Sequence, residues 1–455
     1  MAKPDVSSPL TQYDIEVETL IVGAGAAGMV AGLRAHEAGQ DVLLIEADPL
    51  PSGSTALSAG LIPAAGTRFQ KQAGITDSAL QFAEDIQNKA KFENEQALVD
   101  LLAEHSGPTI EWLSDTHNFP FSVITDFDYP GHSQRRMHGL PERSGAELVD
   151  ALRGRIEELD IPLVCNRRAV ELFALDGRIF GVRVASPDGS TETIGVGRLI
   201  LACNGFGGNR RMVKHHIPQI DGGLWFGHDG NQGEAVQWAE LLGAATRHLS
   251  AYQGHGNVAH PHGILITWAV ISEGGFQVNV HGQRFWDEGQ GYSEAARAVL
   301  AQPDGVAWVI FDERIAAIAR QFLDFKTAEA QGAVLRAKSI NELENTCGFP
   351  AGNLAQTIDD IPYREADTFG RRFNAPPLSP PYCAVRVTGA LFHTQGGIDI
   401  EATSLRVRKR DGGLFHNLYA IGGAACGVSG AGDSGYLSGN GLLAATVLGF
   451  LVGDI

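Results

Sequence analysis

Long apolar runs are missing from this sequence. No stretch reaches about eighteen apolar residues, so no membrane-spanning helix is expected. Cysteine is scarce and scattered: Cys165, Cys203, Cys347, Cys383 and Cys426, with no CxxC and no CxxCH. That spacing gives no support to a zinc ribbon, an iron–sulfur cluster, a redox dithiol or an attached haem, and no metal site is expected. Excess positive charge is also missing. Lys and Arg number 35 against 53 Asp and Glu, a net charge of −18. Nucleic acid and anionic membrane surfaces need a basic partner and are poor candidates. The opening residues "MAKPDVSSPLTQYD" lack the apolar core of a secretory signal. With dispersed, reduced thiols, a cytoplasmic location is expected. There is no internal repeat and no low-complexity tract.

What is present is glycine, 56 of 455 residues. It gathers at both ends of the chain. Near the start, "VETLIVGAGAAGMVAGLRAHEAGQDVLLIEAD" reads as strand, glycine turn, alanine-rich helix and second strand. Gly23, Gly25 and Gly28 form GxGxxG, and Glu46 closes the second strand. Gly23 allows the tight turn, Gly25 lets a pyrophosphate approach the backbone, and Gly28 lets helix pack close to strand. The helix N-terminus then faces the phosphates, and Glu46 stands where a ribose hydroxyl needs an acceptor. All four parts are present, so dinucleotide binding is predicted.

The segments that follow resemble the fumarate reductase, succinate dehydrogenase and 3-ketosteroid dehydrogenase flavoproteins along nearly the whole chain. "PSGSTALSAGLIPAAGT" (51–67) resembles their second flavin-contacting segment. "GRLILACNGFGGN" (197–209) is similar to their "ILATGGF" strand, "HDGNQGEAVQWAELLGA" (228–244) to "GDGxxxA…GA", "LFHTQGGIDI" (391–400) to "HTMGGV", and "NLYAIGGAACGVSGAG" (417–432) to "GLYAAGE…GG…GA". The resemblance implies an α/β fold: a Rossmann-like FAD-binding domain with an inserted α+β capping domain. The FAD domain is expected over 14–252 and again over 391–455, with the cap over 253–390.

Carried onto this sequence, FAD contacts fall at Gly23, Gly25, Ala26, Ala27 and Gly28 in the glycine turn, and at Glu46 and Ala47 after the second strand. They continue at Ser54, Thr55, Ser58, Ala59 and Gly60 in the hydroxyl-rich segment, at Val170, Asn204 and Gly205, and at Gly422, Asn440 and Leu442. Where FAD is bonded to a histidine in succinate dehydrogenases, this chain has Ser54 and its neighbours, so non-covalent FAD is expected. The acid that follows "AAG" in the fumarate reductases is Gly423 here.

The departures from the family carry the chemistry. Fumarate-reducing members deliver a proton from an arginine and hold carboxylates with further arginine and histidine side chains. Aligning "GQRFWDEGQGYSEAARAVLAQ" (282–302) puts Tyr292 in place of the proton-donating arginine. Aligning "GAGDSGYLSGN" puts Tyr436 in place of a carboxylate-binding arginine, and the "TE" pair becomes Thr267-Trp268. A dicarboxylate would be poorly neutralised. Two tyrosines at these places are similar to the ketosteroid dehydrogenases, including a Tyr-x-Ser that matches Tyr436-Leu437-Ser438.

This pattern implies desaturation of a cyclic ketone, either a 3-ketosteroid or an oxocyclohexanecarboxylate. Tyr436 would donate to the carbonyl oxygen, Tyr292 would take the α-proton, and Ser438 would relay or donate. The β-hydride would go to flavin N5. His393 and Gly439 are expected to border substrate. So are Tyr129, Arg135 and Arg136 of "FDYPGHSQRRMHG", where an inward arginine could hold a single carboxylate. His255 of "YQGHG" matches a further family histidine. Electrons would pass to an external acceptor: oxygen, a quinone or a protein. Two alternatives stay open, an enoate or fumarate-type reductase and a flavin-binding protein with a decayed site.

Overall fold

The structure is a computed structural model that describes residues 4–126, 128–363 and 365–455. It divides into two compact units. One takes the chain up to Ile217, then Gly227–Tyr252 and His393–Ile455; the other takes Pro218–Phe226 and Gln253–Phe392.

The first unit is built on a nine-stranded sheet. At its centre lie β1 (Ile15–Val22), then helix α1 (Ala26–Glu37), then β2 (Val42–Ile45). β1 pairs in parallel with β2, and β2 with the short strand Leu163–Val164. On the other side of β1 runs the long strand Thr191–Leu201, also parallel. That strand serves two partners. Its first half pairs antiparallel with Arg178–Ala185, while Leu199–Leu201 pair in parallel with Leu418–Ala420. The apolar ends of β1 and β2 are buried on both faces, the pattern of a covered parallel sheet.

Close packing by small residues holds α1 in place. A Cβ at Gly28 would overlap the carbonyl of Gly23, and one at Gly32 would meet Leu44 Cδ1 at 2.8 Å. The C-terminal helix Asn440–Val452 is apolar almost all round and mostly buried. A Cβ on its Gly449 would meet the Ala27 carbonyl oxygen at 2.7 Å.

The second unit has its own seven-stranded sheet and its own apolar core. The strand Tyr382–Thr394 is central, pairing antiparallel with Val306–Asp312 and Leu335–Ala337. Leu224–Trp225 adds to it in parallel, opposite Ala390 and Leu391. That pairing corrects the expected boundary. The sequence reading kept 218–226 with the first unit; its strand hydrogen-bonds into the second unit's sheet instead. Helices Tyr292–Leu300, Glu313–Ala319 and Leu323–Ala330 contribute buried faces to this core. No helix among the described residues is long and apolar enough to cross a membrane.

Candidate active site

The glycine turn follows β1 directly. Gly23 has φ +106°, a conformation that L side chains avoid. Glu46 lies at the end of β2, and its carboxylate takes the Ala24 N–H at 2.8 Å and the Asp48 N–H at 3.0 Å. The acid therefore pins the turn. Thr55, in the short helix Gly53–Ala56, accepts the Ala26 N–H at 3.1 Å through Oγ1. Ser54 Oγ accepts from Asn204 Nδ2 at 3.0 Å and from Asn231 Nδ2 at 2.9 Å. Ser58 Oγ donates to the Thr55 carbonyl at 2.7 Å and accepts the Gly60 N–H at 3.1 Å. Gly60 has φ +65°, and a Cβ there would overlap the Ser144 carbonyl. Ala59 is exposed and Ala47 is half-buried. Val170 sits at a bulge in the strand Arg168–Leu175, between the paired residues Ala169 and Glu171.

In the same unit a small hollow opens among His393, Thr394, Gln395, Gly422, Gly423, Ala425, Gly427, Gly441 and Ala444. Six of these nine are glycine or alanine, so a flat group could lie against backbone. His393 Nδ1 and Gln395 Nε2 are 2.8 Å apart. Gln395 Oε1 accepts from Ser429 Oγ at 3.1 Å, and Ser429 Oγ accepts from Asn440 Nδ2 at 3.4 Å. Burial holds the His393 pKa down to about 4, against a small opposing pull from the Thr394 backbone. A Cβ at Gly205 would overlap Thr394 Oγ1, and one at Gly422 would meet Ala27 Cβ at 3.0 Å. Leu442 lies half-buried in the first turn of the C-terminal helix.

Tyr436 and Ser438 are both buried, in the glycine-rich loop before that helix. Gly439 has φ +85°, and a Cβ there would meet Pro63 Cδ at 2.6 Å. The loop is tied to the segment 131–136. His132 donates through Nε2 to the Ser438 carbonyl at 2.9 Å, and burial lowers its pKa to about 4. The structure corrects the expectation for Arg136. Its guanidinium is fully buried and engaged by two carboxylates: Asp77, at 2.7 Å from Nε and 2.9 Å from Nη2, and Asp85 on Nη1. It also lies over the Phe82 ring. A cation neutralised in this way cannot hold a substrate carboxylate as well. Arg135 is exposed and pairs with Asp128 at 2.8 Å. Tyr129 packs against Leu61, Ile124 and Met137, and burial raises its pKa.

In the second unit Tyr292 is the first residue of its helix. The N-cap before it is Gly291, at φ +131° and ψ 172°. The preceding turn is held by buried charge. Glu288 takes Arg284 at 2.5 Å and Arg371 at 3.1 Å, and accepts the Gln277 N–H at 2.8 Å. Tyr292 stacks on His255, centroids 4.9 Å apart and planes at 17°. His255 stacks on Phe392 at 5.3 Å, and Phe392 on Phe226 at 4.6 Å. Trp268 meets His255 and Tyr292 edge-on. His255 Nδ1 accepts the Asn257 N–H at 3.1 Å, so its proton is on Nε2. Burial lowers its pKa to about 3.

Against known proteins, residues 18–442 match the model of the family described as "FAD binding domain". The chain belongs to that family. This flavoprotein is 30% identical over 453 residues to the "Probable fumarate reductase Ifc3" of Shewanella frigidimarina, covering 96% of this chain and 74% of that one. Its fold matches the open conformation of a flavocytochrome c3 fumarate reductase with a TM-score of 0.81, 28% identity, and coverage of 97% and 78%. It matches a 3-ketosteroid-delta4-(5alpha)-dehydrogenase of Rhodococcus jostii RHA1 with a TM-score of 0.80, 25% identity, and coverage of 99% of both chains. The flavoprotein is thus an FAD-dependent oxidoreductase with the expected α/β architecture.

The residues present fit FAD. A Cβ at Gly25 would find only Thr55 Oγ1 within 4 Å, at 3.6 Å. The protein's own packing therefore does not demand glycine there, while close approach of a pyrophosphate does. Asn440 is buried with its Oδ1 lacking a partner, an acceptor left over for a ligand. Gly25, Thr55, Glu46 and Asn440, with the small residues of the hollow, are the ones that would hold the cofactor. Three contributors escaped sequence reasoning: His132, Ser429 and Gln395. Only Gln395 left a trace, as a polar residue where "HTMGGV" relatives carry methionine.

Proposed function

We propose that this flavoprotein oxidises a cyclic ketone to the conjugated enone. The observation that carries the reading is a buried tyrosine, Tyr436, in the glycine-rich loop where a dicarboxylate site needs a cation. Two features support it. The buried Arg136 is neutralised by Asp77 and Asp85. The family histidine of the second unit is surrounded by the uncharged rings of Tyr292, Trp268 and Phe392.

When bound, FAD supplies two-electron oxidation. The chain's own residues manage the proton and the developing charge. Tyr436 donates its hydroxyl to the ketone oxygen, which makes the α C–H acidic. Tyr292 receives the α-proton at Oη. A phenol has an ordinary pKa of about 10, so it accepts as phenolate or through a relay. Ser438 is the relay or a second donor, and His393 and Gly439 border the substrate. The β hydrogen leaves with its electron pair, and an external acceptor restores the enzyme. That acceptor is oxygen, a quinone or a protein, and the location is cytoplasmic.

The test is anaerobic addition of 3-ketosteroids and oxocyclohexanecarboxylates to the FAD-loaded protein. Bleaching of the visible flavin band is expected. The identity to a fumarate reductase favours a second reading, reduction of an enoate. Reoxidation of pre-reduced protein by fumarate, with no bleaching by any cyclic ketone, would establish that reading in place of the first.

A further inference from the structure

His393 is not an isolated ring at the wall of the hollow. It begins a chain of four side chains whose donors and acceptors fix one another. Ser429 Oγ accepts from Asn440 Nδ2, so its own proton is free to go to Gln395 Oε1. With Oε1 taken, Gln395 turns its Nε2–H toward His393 Nδ1, 2.8 Å away. An amide N–H can only donate, so Nδ1 must be an acceptor, and the ring proton is left on Nε2. Nε2 lies against the backbone at Gly423, where a Cβ would come within 2.8 Å of it. His393 and Gly423 both line the hollow.

We infer that Gln395 is a specificity-determining positioning residue: it fixes His393 as a neutral Nε2–H donor, so a ligand lying beside the cofactor at His393 meets one uncharged proton suited to a carbonyl oxygen and not a cation suited to a carboxylate. A protonated imidazole would have to place an Nδ1–H against the Gln395 amide hydrogens. The side chain that meets His393 Nδ1, Gln395, is uncharged, and no charged group contributes to the lowered pKa of the ring. At Gly423 there is no carboxylate to support an imidazolium. The tautomer stands on this geometry alone. The choice of a ketone as the carbonyl ligand rests on the function proposed above.

The test uses FAD-loaded full-length protein carrying ¹⁵N-histidine. The His393 signals are identified by their loss in His393→Asn. In wild type they are expected to report a neutral Nε2–H ring down to about pH 5, well below the ordinary histidine range. Gln395→Glu places a carboxylate against Nδ1 and should raise the His393 pKa by about two units or more, with the Nδ1 proton regained. Succinate, read by its perturbation of the flavin spectrum, should then bind at least about tenfold tighter than to wild type. Gln395→Met should keep the ring neutral but give a mixture of tautomers. It decides the matter if the glutamate variant fails to hold FAD: an unchanged single Nε2–H tautomer would overturn the inference. So would a wild-type ring that titrates near its ordinary value or carries its proton on Nδ1. If the NMR results are as expected but no cyclic ketone bleaches the flavin, the tautomer assignment stands and the ketone reading falls.

Discussion

His132 donates its Nε2–H to the carbonyl oxygen of Ser438 over 2.9 Å, and so joins the 131–136 segment to the loop that carries Tyr436. The two stretches also touch at a point of close packing, since a Cβ at Gly131 would meet Leu437 Cδ1 at 2.7 Å. His132 is thus one polar anchor of the loop backbone, alongside the Tyr252 N–H that donates to the Gly432 carbonyl at 3.1 Å. His132→Phe keeps the ring's volume and removes the donor to the Ser438 carbonyl. Turnover should fall about tenfold or more with FAD content unchanged, because a shift of the loop misplaces Tyr436. His132→Gln can still donate and should recover most of the rate. Equal turnover in wild type and His132→Phe would make the anchor irrelevant to catalysis.

Three histidines of the first unit, the buried His138 and the half-buried His132 and His393, are held near a pKa of about 4 by loss of hydration. His138 shows the means. Nδ1 donates to the Arg136 carbonyl at 2.7 Å and Nε2 lies 2.8 Å from Thr67 Oγ1, a set satisfied by a neutral ring. In the unfolded chain each regains a pKa of about 6.5. The folded values are lower, so the unfolded state binds more protons between the two. Stability from these groups is full above about pH 6.5 and is lost as pH falls toward about 4. Thermal unfolding at a series of pH values should show the midpoint falling through this window. His138→Asn should flatten that part of the profile relative to wild type. A midpoint constant across the window would contradict the buried neutral state.

Gly25→Val should abolish FAD binding while leaving the apoprotein folded. The added side chain meets little protein, only Thr55 Oγ1 at 3.6 Å from its Cβ, but occupies the place of the pyrophosphate. Circular dichroism and flavin absorbance after reconstitution separate the two outcomes. Gly28→Val should fail earlier, in folding, because its Cβ overlaps the Gly23 carbonyl. Acid precipitation of wild type should leave yellow flavin in the supernatant, as non-covalent attachment requires.

How much of this could be read from the chain varied with the range of the interactions. The β1–α1–β2 unit was legible because its signals are local: apolar strand, glycine turn, helix, second strand and acid lie within about thirty residues. Local pattern places 218–226 with the first unit, whereas its two-residue strand is recruited by Ala390 and Leu391, far along the chain. Arg136 looked like a substrate cation because its neutralising partners, Asp77 and Asp85, lie 59 and 51 residues away. Gln395 and Ser429 could not be linked from sequence, being 34 residues apart. Local pattern located the cofactor turn, while the charge state of the site was decided by contacts between distant residues.

Tyr436→Phe should keep the fold and FAD while lowering turnover with a cyclic ketone by about 10²-fold or more. The ring is buried and its packing survives the change, so only the hydroxyl is lost. KM should change less than kcat, because a donor aimed at the carbonyl oxygen strengthens as charge develops there. Near-normal turnover would return Tyr436 to a packing role.

Tyr292 tests the direction of proton flow. The residue opens its helix after Gly291, whose positive φ no other residue would adopt easily, so the position of the ring is set by backbone. Stacking on His255 at 4.9 Å fixes the ring plane. Tyr292→Phe preserves both features and deletes only Oη. If Tyr292 takes the α-proton, flavin reduction by ketone should rise with pH through one ionisation in wild type, and both the rate and the pH step should vanish in the variant. The neighbouring imidazole cannot substitute, since His255 Nδ1 is engaged by the Asn257 N–H and burial holds the ring neutral, with a pKa of about 3. Ketone deuterated at the α carbon should exchange slowly with solvent in wild type and hardly at all in Tyr292→Phe. The conserved packing makes the comparison clean, because His255 keeps its stacking partner in both proteins. A variant that reduces flavin as fast as wild type would remove Tyr292 from the chemistry and, with it, the desaturase assignment.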